Sequence, residues 1–341
     1  FDFSERVFLY FCLKRKKMKK ILLFAALSLS LVACKSTSTK DTSVKQQETV
    51  YEVKEANVIE TLKYLTLDEL EGRDSGSKGI EKAAVYLENQ FKQHNIKPYF
   101  DSYRDTLSNY KETSYNIVGL IEGTDPKLKN EYIILGAHYD HIGITPEAKG
   151  DDKINNGAND NASGTTILSE IAKYIATFKN NKRSVLVVYF SAEERGLLGS
   201  QHLADKLKAK GFNLYAMLNF EMMGVPMTDK DFELYITGPQ TSNMWDKLNE
   251  YAGEKLVGVI PEERQYQLFR ASDNFPFYVA FNVPSQTVCS FDFKNYAYYH
   301  QPQDEFQLMD TKFMTSITQK MLPVVNKMIN AETQEIQLTK K

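Results

Sequence analysis

Six apolar residues follow one another from Val185 to Phe190, and two adjacent acids, Glu193 and Glu194, come shortly after them. A run of that length is the size of one β-strand. With every position apolar rather than every second one, it must be covered on both faces. Such a strand sits inside a sheet with helices above and below it. The two acids then fall just beyond the strand's carboxyl end, where open α/β sheets bind their ligands.

The rest of the chain repeats this arrangement. "SYNIVGLIEG" and "EYIILGAH" read as strands separated by the turn-like "TDPKLKN". "SGTTILSEIAKYIATF" and "GLLGSQHLADKLKAK" read as helices, and "LYAMLNFE", "FELYIT" and "VPSQTVCSF" as further strands. Helices are expected over Tyr51 to Leu67, through Ala83, Ala84, Leu87 and Phe91, through Trp245 and Leu248, and from Thr311 to Ile329. The pattern predicts an α/β three-layer sandwich. Its central sheet is mixed, mostly parallel, and covered by helices on both faces.

Before Tyr51 the chain has a different character. Residues 1–17 read as upstream translation. Residues 18–33 read as a lipoprotein signal peptide: "MKK", then an apolar run too short for a spanning helix, then "LVAC". "LVAC" resembles the lipobox of bacterial lipoproteins and implies cleavage before Cys34 and lipidation of its thiol; an ordinary secretory signal with an incidental cysteine is the alternative. Residues 34–50 are polar and read as a flexible tether, and 51–341 as a single domain. These features imply an extracytoplasmic protein, in the periplasm or at the cell surface, anchored to the membrane through Cys34. A net charge of −2 gives no basic excess for nucleic acid. Of the three cysteines, Cys289 alone falls in the domain, so no internal disulfide is expected there. It reads as a buried strand thiol. Oligomeric state is unknown from the sequence.

Polar clusters mark the ends of several strands: "HYDH" after Ala137, "AEE" after Phe190 and "FEMMG" after Leu218. "NDNASG" precedes a helix. Of five histidines, His138, His141 and His300 lie in such clusters, whereas His94 and His202 lie in ordinary helical contexts. His138, Asp160, Glu194, Glu221 and His300 are imidazoles or carboxylates delivered to one edge of the sheet. Nitrogen and oxygen donors without a thiolate suit zinc, and also cobalt or manganese.

"GAHYDHIG", "NNGANDNASGTTILSEIA", "SAEERGLLGS", "LNFEMMG", "ASDNFPF" and "YYHQPQDEF" occur in that order. They resemble the motifs of the di-zinc aminopeptidases of metallopeptidase family twenty-eight, of the bacterial leucine aminopeptidase type. That family also holds glutamate carboxypeptidase II and glutaminyl cyclase. "LEGRDSGSKGIEKAAVYL" resembles its N-terminal helix and loop. The resemblance runs from about Leu62 to Phe306 and implies the zinc-peptidase, phosphorylase/hydrolase-like fold. It implies two zinc ions, with Asp160 bridging them, Glu194 and His300 completing one and His138 and Glu221 the other. It implies Glu193 as general base and Asp140 as the carboxylate orienting His138. Asp273 is expected to support the site from behind. The activity implied is that of a zinc-dependent exopeptidase, an aminopeptidase acting on peptide N-termini.

Two positions depart from the family's pattern. Glu221 stands where the family usually has Asp, which leaves the second metal site less certain. Asn274 stands in "SDN" where the family commonly has His, which puts a supporting hydrogen bond in question. His141 is additional and is read as a supporting or structural residue. Arg270 and the tyrosines of "NYAYYH" are candidates for the pocket wall. Two other functions remain open: a glutaminyl cyclase-like, single-zinc acyltransferase, and a non-catalytic binding module on the same fold. Retention of Glu193 with all five ligand-type residues argues against the last.

Overall fold

A computed structural model describes residues 51–340. The signal, lipidation and tether assignments before Tyr51 lie outside the described residues. In chain order the strands are β1 (Lys97–Pro98), β2 (Arg104–Thr106), β3 (Tyr115–Ile121), β4 (Tyr132–His138), β5 (Gly143–Ile144), β6 (Ile154–Asn155), β7 (Ser184–Phe190), β8 (Leu214–Glu221), β9 (Leu234–Ile236), β10 (Val257–Gly258) and β11 (Ser285–Cys289). The helices are α1 (Glu55–Leu65), α2 (Lys78–Gln93), α3 (Gly164–Phe178), α4 (Leu198–Ala209), α5 (Met244–Ala252), α6 (Pro261–Gln265), α7 (Asn274–Phe281) and α8 (Thr311–Asn330).

The apolar run of β7 is buried on both faces. Val185, Val187 and Tyr189 enter the core that holds Ile167, Ile171 and Ile175 of α3 and Ile317 and Met321 of α8. Leu186, Val188 and Phe190 point the other way, against Leu203 and Leu207 of α4 and Phe277 of α7. This is the period of two expected of a strand, with helices receiving both sets of side chains. Gly136 of β4 leaves room for the Phe190 ring: a Cβ there would lie 2.6 Å from the ring's edge.

The nine-stranded sheet runs β1-β3-β7-β4-β8-β11-β9-β10, with β2 paired to β3. β7, β4, β8 and β11 are mutually parallel. β3 joins β7 antiparallel and β9 joins β11 antiparallel. The sheet is therefore mixed as expected: a parallel centre is joined by antiparallel pairings to β3 on one side and to β9 on the other, and β10 continues parallel to β9 at the edge. The short outer strands β1, β2 and β10, the β5-β6 hairpin and the helix α7 are additions to the expected elements. α7 lacks an apolar stripe, which is why periodicity does not reveal it.

Parallel strands put their carboxyl ends on one side. His138 is the last residue of β4 and Glu221 the last of β8. Glu193 and Glu194 follow β7 after a two-residue turn. Among the described residues no helix is long and apolar enough to cross a membrane.

Candidate active site

His138 ends β4 directly, whereas several other candidate side chains reach this edge through a local backbone device. Ala192 has φ 55°, Met222 φ 44° and His300 φ 56°. Positive φ is uncommon for residues other than glycine and is held only where surrounding structure imposes it. Ala192 turns the chain so that Glu193 and Glu194 face back over the sheet. Asp160 arrives on the turn before α3. Gly164 allows that turn to approach β8, since a Cβ there would lie 2.4 Å from the Phe220 carbonyl oxygen.

Two groups of donor atoms result, each within 4.8 Å of one another: His138, Asp160 and Glu221, and His141, Asp160, Glu194 and His300. Asp160 belongs to both. Its Oδ1 lies 3.3 Å from His138 Nε2 and its Oδ2 lies 3.2 Å from His300 Nε2. Glu221 Oε1 lies 3.1 Å from the same His138 nitrogen, so the longer arm still reaches the cluster. Its Oε2 accepts from Ser272 Oγ at 2.8 Å. Glu194 Oε2 lies 3.1 Å from His300 Nε2, while its Oε1 lies 2.7 Å from His141 Nδ1. All five ligand-type residues are thus brought together, and His141 stands closer to the centre than a remote structural residue would.

The site has a wall of supports. Asp140 is fully buried and accepts from the backbone N–H groups of Glu193 and Glu194 and from Ser75 Oγ. His138 Nδ1 lies 3.1 Å from the Asp140 carbonyl oxygen and 3.6 Å from its carboxylate. The nearer partner is the carbonyl, so Asp140 orients His138 mainly through its backbone and anchors the two glutamates through its side chain. Arg73 is fully buried and donates to the carbonyls of Leu65, Tyr139, Asn156 and Gly157, tying together the two loops that carry His138 and Asp160. Asp304 accepts from the backbone N–H groups of Asn159 and Asp160. Arg73, Ser75 and Asp304 were not singled out in the sequence, although each lies inside a quoted motif.

Asn274, in place of a histidine, accepts from Thr287 Oγ1 and donates to the Phe269 and Ser285 carbonyls, tying α7 to β11. Arg270 lies over the Phe275 ring. Tyr296 is buried with its hydroxyl on Asp304, and Tyr299 stacks on His300 at 3.9 Å. Cys289 is buried, as expected, and burial pushes its thiol up to about 12.

A pocket of about 130 Å³ opens over this cluster. His138, Asp160, Glu193, Glu194 and Glu221 form its polar end. Leu268, Phe291, Phe293, Tyr299 and Met222 line an apolar side. Among the described residues no lysine or arginine lines it. Burial, reinforced by Asp273, Glu221 and Glu194, holds the Glu193 carboxyl well above the usual range against the opposing pull of His138. Burial likewise pushes Asp273 up to about 8. For Asp160 burial is outweighed by His141, His138 and His300, which hold its carboxyl well below the usual range. For His138 burial opposes the charged ring, but Glu221 and Glu193 prevail and its pKa stands well above normal. A crowd of buried carboxylates without a basic side chain, sharing oxygens with imidazoles, fits divalent cations of the zinc type.

Strand ends, a shared aspartate and two mixed donor groups define a class: an α/β protein with candidate metal-binding groups at the carboxyl edge of its sheet. Residues 116–325 match the model of peptidase family M28, and the chain belongs to that family. It is 32% identical over 148 residues to the aminopeptidase YwaD of Bacillus subtilis, a match covering 42% of this chain and 30% of that protein. The matches span between 22% and 33% of the length of the curated relatives. The zinc aminopeptidase BSAP from Bacillus subtilis superposes with a TM-score of 0.65 at 16% identity, over 82% of this chain and 96% of that one. The Porphyromonas gingivalis glutaminyl cyclase does so with a TM-score of 0.63 at 15% identity, over 82% and 100%. At such identities the two structures share the fold.

Proposed function

We propose that this chain is a zinc-dependent aminopeptidase that releases residues from peptide N-termini. The observation that carries the reading is the division of labour at the strand ends. Asp160 offers one oxygen to each donor group, and Glu193 opens on the same pocket without belonging to either. Membership of a peptidase family agrees with it.

In this reading Asp160, Glu194 and His300 would hold one zinc ion, and Asp160, His138 and Glu221 would hold a second. Bound zinc supplies polarisation of the scissile carbonyl and a lowered pKa for water. Glu193 accepts a proton as the water oxygen bonds to the carbonyl carbon. The C–N bond then breaks, and Glu193 returns that proton to the leaving amine. Asp140 holds the glutamate backbone, and the apolar wall of Leu268, Phe291 and Phe293 receives the substrate's side chain. We further propose that the protein is lipid-anchored at Cys34 and works outside the cytoplasm; palmitate labelling that persists in Cys34→Ser would contradict this.

Activity is tested with aminoacyl p-nitroanilides alongside a peptide bearing N-terminal glutamine, together with metal analysis. Release of p-nitroaniline, abolished by chelator and restored by zinc, with two zinc ions bound per chain, is the expected outcome. Cyclisation of the glutamine with one zinc per chain would replace this reading by the acyltransferase.

A further inference from the structure

His141 is where the chemistry of the site has an unassigned part. It is fully buried, and its ring is held from several directions. Its backbone N–H donates to the Arg73 carbonyl at 3.3 Å. Its ring packs on Gly157, where a Cβ would lie 2.6 Å from Cγ and Cδ2. Gly157 also has φ +56°, so the position requires glycine for conformation and for space. The ring meets His300 edge-on, with centroids 5.6 Å apart.

Nδ1 lies 2.7 Å from Glu194 Oε1, whereas Nε2 has no hydrogen-bond partner among the described residues. A neutral ring with its proton on Nε2 would leave two lone pairs facing each other at the 2.7 Å contact between Nδ1 and Glu194 Oε1. The proton therefore belongs on Nδ1, which donates to Glu194. The separations point the same way. Two ligands of one tetrahedral zinc, each at about 2.0–2.1 Å, stand about 3.3 Å apart. Glu194 Oε2, His300 Nε2 and Asp160 Oδ2 show that spacing, at 3.1 and 3.2 Å from the histidine. The His141–Glu194 contact is shorter and has the length of a charge-assisted hydrogen bond. His141 Nδ1 also stands 3.8 Å from Asp160 Oδ2, too far to bond it.

We infer that His141 is a positioning residue: by donating Nδ1–H to Glu194 Oε1, it confines Glu194 to one-oxygen ligation through Oε2. Glu221 is confined in the same manner, with Ser272 on its second oxygen. Without that donor the Glu194 carboxylate is free to rotate and bind through both oxygens, which fills a coordination position that substrate needs. This inference rests on the reading that Asp160, Glu194 and His300 hold a metal.

The test is metal binding by calorimetry and the visible spectrum of the cobalt(II)-loaded protein, for wild type, His141→Ala and His141→Asn. The asparagine amide can donate at the reach of Nδ1. His141→Ala is expected to weaken zinc binding at one site by about 10–100-fold. Its cobalt bands are expected to lose intensity several-fold as the coordination number rises. His141→Asn is expected to restore both. Should the alanine variant fail to fold, His141→Leu, which fills the ring's space without a donor, takes its place. Unchanged affinity and spectrum in the donor-less variant would overturn the inference. Loss of one metal equivalent in both variants would also overturn it, by making the imidazole itself a ligand. A wild-type protein that binds no metal would instead sink the proposed function, so the two failures are distinct.

Discussion

Asp304 Oδ2 accepts the backbone N–H of Asp160 at 3.0 Å, so a residue on the loop carrying His300 fixes the peptide of the carboxylate shared by both donor groups. The companion oxygen takes the N–H of Asn159 at 2.8 Å and the hydroxyl of Tyr296 at 2.6 Å. Asp304→Ala is expected to release the Asp160 turn and lower metal affinity by about 10–100-fold. Titration with a chelating indicator reads this. Affinity equal to wild type would show that the turn holds its shape without Asp304.

Arg73 is expected to matter for folding rather than for chemistry. Its guanidinium satisfies four backbone carbonyls in a fully buried place, and burial lowers its pKa to about 10. Arg73→Met leaves those carbonyls short of donors, and an unsatisfied buried group costs about 1–3 kcal/mol. A loss of about 3 kcal/mol in urea unfolding is expected. A loss within error of zero would mean that water replaces the guanidinium.

These supports show what the sequence discloses and what it hides. His138, Asp160, Glu193, Glu194 and Glu221 were legible because each is an ionisable residue just after an apolar strand or beside a helix start, whereas His300 lies in a loop and stood out only as a histidine within a motif that carries the family resemblance. The central sheet was legible because Val185–Phe190 allows no exposed face. Arg73, Ser75 and Asp304 each meet backbone groups 65 or more residues away, and no local pattern announces such a partner. The split role of Asp140 was hidden for the same reason: which of its oxygens meets His138 is decided by tertiary geometry. The antiparallel borders of the sheet were hidden too, since a buried strand reads alike in either direction.

Asp105 gives the pH dependence a defined sign. It is buried, which disfavours its charge, but His202, Lys206 and Asn116 outweigh burial and lower its pKa. A carboxyl depressed on folding contributes stability above its unfolded value, about 3.9, and loses that contribution as pH falls through the folded value. Asp105→Asn is expected to destabilise the protein by about 2 kcal/mol at pH 7. The gap from wild type should narrow below about pH 4. A gap constant from pH 7 to pH 3 in denaturant melts would contradict this assignment.

The apolar side of the pocket makes a separate claim. Leu268, Phe291 and Phe293 line it, and among the described residues no lysine or arginine does. Phe293→Asp is expected to raise KM for aminoacyl substrates with apolar N-terminal side chains, with kcat less affected, because it removes binding common to ground and transition states. A fall in kcat alone would place Phe293 nearer the reacting atoms than the pocket suggests.

The central claim is that the adjacent acids Glu193 and Glu194 have different tasks, proton transfer and metal binding. It is tested most directly by measuring zinc content and turnover together in Glu193→Gln. The account predicts unchanged zinc content with turnover reduced about 10²–10⁴-fold. Turnover near wild type, or a loss of zinc equal to the loss of activity, would contradict it.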